Sequence, residues 1–195
     1  MTEVKPTKVL LSLHGFHSSP ASLKAQQMRD YLLSKHPEIH FICPQLPVMP
    51  ADMWSLIVSI FEQYKESEIA VIGSSLGGFL ATNVAQQYAV KAVLINPAVT
   101  PYVLLTDYQG MQTHPYLQQQ YNIDQEYLRQ LIALNVESIN NIDNLWVLLQ
   151  KQDEVLDYRD ALKKYQACKI TCEEGGDHSF IGFERYLSKI IQFLY

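Results

Sequence analysis

Residues 72–79 read IGSSLGGF, two adjacent serines set among three glycines at the end of an apolar run. A serine with glycine two positions before it and two after it, between a strand and a helix, sits on a sharp turn that lifts its Oγ clear of the backbone. Exposed in this way, the hydroxyl can attack a carbonyl carbon and carry the acyl group covalently. The turn is so tight that both flanking positions must be small. Around Ser75 they are Gly73 and Gly77; around Ser74 they are Ile72 and Leu76, whose side chains would clash. Ser75 is therefore the expected nucleophile, and Ser74 only the variable position of the motif.

A serine hydroxyl is a weak nucleophile at neutral pH and needs a base, which needs an acid to orient it. On a strand–turn–helix elbow the three follow in the order Ser, Asp or Glu, His. Six histidines are present, His14, His17, His36, His40, His114 and His178, and only His178 follows the last expected strand, in the glycine-bearing loop EEGGDHSF. The acid is sought after the preceding strand, in LLQKQDEVLDY. Asp153 is the first carboxylate past the strand end and is favoured; Glu154 is expected to point elsewhere. Asp157 is the weaker candidate, since it stands where it would cap the next helix. Asp177 adjoins His178, and neighbouring side chains on an extended loop diverge. The developing oxyanion needs backbone donors. The N–H of Leu76, just after the nucleophile, is one. The N–H of Phe16 in LHGFHSSP is the other, with Gly15 allowing close approach. His14 and His17 lack the further ligands of a metal site, so His14 is expected to hydrogen-bond within its loop. No metal and no cofactor are expected.

These residues need a scaffold that delivers each at a strand end. Short β-rich runs over 8–14, 39–46, 68–75, 91–98, 144–153 and 168–174 alternate with helical patterns over 18–36, 51–67, 76–89, 157–167 and 179–195. Apolar strands alternating with helices predict a mostly parallel sheet of about six strands with helices on both faces. Ligands then bind beyond the carboxyl ends of the strands, where every candidate residue falls. Residues 97–143 break the rhythm. Rich in Tyr and Gln, with a helical pattern near 124–134, the segment is too long for a plain connection. It reads as a small helical cap, an insertion of about 98–143 in a single domain over 1–195. Tyr102, Tyr108, Tyr116 and Tyr121 are candidates to line or shield a pocket.

Composition narrows the alternatives. The 195 residues are 48% hydrophobic and 18% charged, which excludes a disordered chain. The net charge of −5, with no basic stripe interleaved with aromatics, argues against a nucleic-acid partner. Before His14 the N-terminus holds an apolar run too short for a signal-peptide core, and no stretch approaches the ~20 apolar residues of a membrane span. Cys43, Cys168 and Cys172 are odd in number; on one strand, Cys168 and Cys172 would stand about 13 Å apart, too far for a disulfide. Free thiols and a cytoplasmic location are expected. Oligomeric state leaves no mark in the sequence.

The blocks LHGFHSSPASLKAQQ, IGSSLGGFLAT, KAVLINPAV, LLQKQDEVLDYR and EEGGDHSFIGFERYL together resemble the YqiA-like small esterases of the α/β-hydrolase superfamily. The resemblance spans nearly the whole chain and is loose over 102–143. It implies a three-layer α/β-hydrolase fold beginning at the strand that carries the oxyanion loop, without the two antiparallel strands that open larger relatives. It also implies Ser75, Asp153 and His178 as a triad acting on small-molecule substrates, short acyl esters with acyl-CoA thioesters as a second class. A non-catalytic ligand-binding protein on the same fold and an amidase or peptidase are the rival readings.

Overall fold

A computed structural model describes residues 6–195; the first five residues of the N-terminal stretch read above lie outside the described residues. Six strands form one sheet: β1 (Lys8–Leu13), β2 (Ile39–Ile42), β3 (Glu68–Ser74), β4 (Ala92–Ile95), β7 (Leu145–Gln150) and β8 (Lys169–Glu173). Their order is β2-β1-β3-β4-β7-β8 and every pairing is parallel. Strand residues alternate between two cores, as a period of two requires. Val9, Leu11, Leu13, Val147 and Leu149 face α2 (Pro50–Gln63), α3 (Leu76–Tyr88) and α6 (Tyr158–Lys164). Leu10, Trp146 and Leu148 face α1 (Leu23–Lys35) and α7 (Leu187–Leu194). Both faces are covered, so the sheet is the middle of three layers, and the α/β-hydrolase architecture expected from the sequence is what the chain adopts.

The chain runs from β1 out to the edge strand β2, then returns to β3 on the other side of β1. Connections leaving β1 and β3 therefore diverge, and a crevice opens between their carboxyl ends. The loop after β1 carries Gly15 and Phe16; the turn after β3 carries Ser75.

Several elements are shorter than expected, and two show why. β2 stops at Ile42 rather than 46, because Pro44 lacks an N–H for the ladder and the next residues bond elsewhere: the Leu46 N–H donates to His14 Nε2 at 3.0 Å. The C-terminal helix does not begin at 179. Residues 177–181 bond to Asn96, Gln150 and Lys24, and only a 3₁₀ turn (Phe183–Tyr186) precedes α7.

The excursion is more than helical. It holds α4 (Pro101–Leu104), a 3₁₀ turn (Leu105–Tyr108), an antiparallel hairpin of β5 (Gly110–Thr113) with β6 (Gln120–Ile123), and α5 (Gln125–Ala133). Asp124 caps α5, accepting the Tyr127 N–H at 3.0 Å. The hairpin escapes sequence reading because each strand has four residues and only Tyr121 and Ile123 point into the core; two apolar positions carry too little periodicity to register. Among the described residues no helix is long and apolar enough to cross a membrane, and the three cysteines are free thiols.

Candidate active site

Ser75 sits between β3 and α3 with φ 56° and ψ −120°, a conformation that L-residues rarely adopt. Four backbone hydrogen bonds hold it there: Ser75 N–H donates to Ile95 O, and Ser75 O accepts from Gly78, Phe79 and Ala98. The flanking glycines are needed for space. A Cβ on Gly73 would lie 2.1 Å from Gly77 O, and one on Gly77 would lie 2.0 Å from Leu13 O. The strain is thus over-determined by its surroundings, the condition under which such backbones persist. The two serines part company here. Ser74 lines a small recess of about 50 Å³ toward α1, with Ser12, Ser18 and Lys24. Ser75 lies on the floor of a cleft of about 350 Å³ beside Phe16, Leu76 and Ala98.

Asp153 and His178 meet 25 residues apart in sequence. The His178 imidazole bonds through Nδ1 to Asp153 Oδ2 at 2.8 Å and to Oδ1 at 3.0 Å. A carboxylate only accepts, so Nδ1 carries a proton, and in the neutral ring Nε2 is the acceptor. The Asp153 side chain is 2% exposed, and its Oδ1 also accepts the N–H groups of Val155 and Leu156 at 2.9 and 2.8 Å. Among the described residues no hydrogen bond joins Ser75 Oγ to His178 Nε2; such contacts are often loose before substrate binds.

The competing carboxylates have other duties. Asp157 accepts the Arg159 N–H at the start of α6 and pairs with its guanidinium, which holds the carboxyl down at about 2. Asp177 accepts from Ser179 Oγ. Glu154 reaches His178 after all, but at the backbone, where Oε2 accepts the His178 N–H at 2.9 Å.

That bond is one of several fastening the histidine loop, and sequence reasoning missed all of them. Asn96 Nδ2 donates to the carbonyls of Asp177 and His178 at 3.0 and 3.3 Å, while its Oδ1 accepts the Gln150 N–H at 3.0 Å. Gln150 donates to Ile181 O at 2.8 Å and accepts from Asp177 N–H at 3.2 Å. Lys24 Nζ, from α1, donates to Ser179 O at 2.7 Å. A faint signal existed: Asn96 and Gln150 are polar residues at the ends of wholly apolar strands, and both are 2% exposed.

On the other side of Ser75, the loop after β1 packs close enough that a Cβ on Gly15 would stand 3.2 Å from Ser75 Cβ. Among the described residues the N–H groups of Phe16 and Leu76 have no acceptor within the chain. His14 keeps the loop in shape. Its Nδ1–H donates to Gly15 O at 3.0 Å, and Nε2 accepts the Leu46 N–H. With both nitrogens used, the ring serves as a neutral brace rather than a metal ligand. Burial pushes the His14 imidazole below the ordinary 6.5, against the opposing pull of the Gly15 carbonyl and with a small contribution from His114. An unfolded chain would thus take up a proton that folded His14 resists, so stability falls as pH drops below that value. The urea midpoint is expected to decline from about pH 7 to about pH 5, and to decline less in His14→Gln. Equal declines in both proteins would exclude His14 as the source.

The cleft walls come from two places. Pro101, Leu104, Leu105 and Tyr108 of the excursion form one, and Glu154, Val155 and Leu156 after β7 form the other. Of the four candidate tyrosines only Tyr108 lines this cleft. Tyr121 lies behind the loop that follows β1, Tyr102 lines a separate groove, and Tyr116 is exposed.

A family model described as Uncharacterised protein family (UPF0227) matches residues 9–195. Among solved structures, a protein from Agrobacterium vitis S4 aligns with a TM-score of 0.78 at 17% identity, covering 98% of this chain and 91% of its own. Alpha/beta hydrolase domain-containing protein 10 from mouse aligns at 0.74 and 17% identity, covering 99% and 93%. Est1E from Butyrivibrio proteoclasticus, solved with ferulic acid bound, aligns at 0.73 and 16% identity, covering 99% and 91%. At these identities the likeness is one of fold.

Proposed function

The chain belongs to the UPF0227 family, the YqiA-like proteins, and from that premise we propose that it is a serine hydrolase acting on short-chain carboxylic esters, with acyl-CoA thioesters as a second substrate class. The observation that carries this is the Asp153–His178 pair, held on a loop fastened to the end of the sheet that also bears the strained Ser75.

His178 Nε2 takes the hydroxyl proton as Ser75 Oγ attacks the acyl carbon. The negative oxygen that forms is met by the N–H groups of Phe16 and Leu76, placed to stabilise charge that exists only in the transition state. Asp153 holds the imidazole in the tautomer that can accept this proton, and stabilises the resulting cation. The imidazolium then protonates the departing alcohol or thiol, leaving an acyl group on Ser75. A water molecule, deprotonated by the same nitrogen, attacks the acyl carbon; the bond to Ser75 Oγ then breaks as the imidazolium returns its proton to that oxygen, and the acid leaves.

The cleft holds about 350 Å³ and is walled mainly by apolar side chains, which suits small acyl groups. In a series of p-nitrophenyl esters, turnover is expected to be highest for short acyl chains and to fall as the chain outgrows the cleft; matching acyl-CoA thioesters run in parallel rank the two classes. A fluorophosphonate is expected to label the native protein. No turnover of any ester or thioester, together with no labelling, would overturn the proposal.

A further inference from the structure

Phe16 is followed by His17, whose backbone is left-handed at φ 51°. A non-glycine residue holds this conformation only where neighbours enforce it, and His17 has such a neighbour. Its Nε2 and the Tyr121 hydroxyl are 2.8 Å apart. Its ring stacks on Phe16, with centroids 4.0 Å apart and planes 20° apart. His114, at the start of the hairpin turn just after β5, meets the same ring edge-on at 5.6 Å. Tyr121 is itself fixed: it is 7% exposed and sits on β6 next to the buried Tyr127. The hairpin contributes no residue to the cleft, yet through the Tyr121 hydroxyl and the His114 ring it grips the residue next to Phe16.

We infer that Tyr121, acting through His17, is a positioning residue for the Phe16 N–H, and that the hairpin inserted after β4 serves to lock the oxyanion loop. The inference rests on the esterase reading above. Tyr121 and His17 touch no reacting atom; their effect is confined to where one donor points. A donor shifted slightly costs transition-state stabilisation while leaving ground-state binding nearly intact. The loss should be smaller than the roughly 10²- to 10³-fold penalty of deleting an oxyanion donor outright.

The test uses Tyr121→Phe, His17→Asn and the double variant. Asn tolerates a left-handed backbone but is too short to reach Tyr121. For a short p-nitrophenyl ester, each single change is expected to lower kcat about tenfold with KM within about twofold. The inhibition constant of a boronic acid, which mimics the tetrahedral intermediate, should weaken in step. The double variant should lose no more than the more severe single one, since both changes cut the same link. Thermal midpoints separate this from unfolding, and His17→Asn stands in if Tyr121→Phe proves unstable. Unchanged kcat in both stable singles, losses that multiply in the double, or a loss in KM alone would overturn the inference. A native protein that neither turns over esters nor reacts with fluorophosphonate would instead remove the esterase reading, and this inference with it.

Discussion

Replacing Ser75 with alanine is expected to cut ester turnover by roughly 10⁴- to 10⁶-fold, leaving only what binding and the oxyanion donors supply. The fold should survive, because the backbone bonds that hold the elbow do not involve Oγ. Loss of the hydroxyl even removes a group from a strained position without adding bulk. Ser74→Ala is the internal control: Ser74 faces the recess on the α1 side, so a working enzyme, slowed a fewfold at most, is expected. Steady-state kinetics on a short p-nitrophenyl ester, with fluorophosphonate labelling of all three proteins, decide the matter. Comparable rates in Ser75→Ala and the native protein would end the covalent mechanism. Labelling lost in Ser74→Ala but kept in Ser75→Ala would assign the nucleophile to the wrong serine.

The second large effect concerns the base and its orienting acid. His178→Ala should be about as damaging as Ser75→Ala, and the double variant no worse than either, because the groups act as one unit. Asp153→Asn is expected to cost roughly 10⁴-fold in kcat. An amide in place of the carboxylate can present an N–H to Nδ1, favouring the tautomer whose Nε2 carries the proton and cannot accept another. It also removes the charge that steadies the imidazolium. Asp157→Asn separates the two candidate acids. Asp157 spends its carboxylate on Arg159 and the start of α6, so turnover should persist with little change in thermal stability, because Asn caps a helix about as well as Asp and an exposed ion pair contributes little. If Asp157→Asn lost activity and Asp153→Asn kept it, the assignment would be reversed.

The sites of both predictions were legible to different degrees. Ser75 could be told from Ser74 by neighbours two residues away; the clash of a Cβ on Gly73 with Gly77 O follows from that spacing, whereas the clash of one on Gly77 with Leu13 O comes from the neighbouring strand. Asp153 and His178 could be nominated because a parallel sheet gathers its carboxyl ends, so order along the chain becomes position along one edge. The 2.8 Å bond between them was not legible, nor was the work of Glu154, which chain position suggested would point away and which binds the His178 backbone instead.

What the amino-acid sequence determined by itself is what short-range physics controls. Alternation of apolar runs set the strands, Asp157 marked the start of α6 where its side chain accepts the Arg159 N–H, and side-chain size at positions ±2 set Ser75 apart from Ser74; each depends on atoms a few residues apart. Tertiary structure alone decided how the site is held. Asn96, Gln150 and Lys24 fasten the histidine loop from strand ends and a helix distant along the chain. Tyr121 reaches back across 104 positions to His17. A polar side chain acquires such a role only when the fold removes it from water and leaves one partner within reach, and no local pattern records which partner that will be.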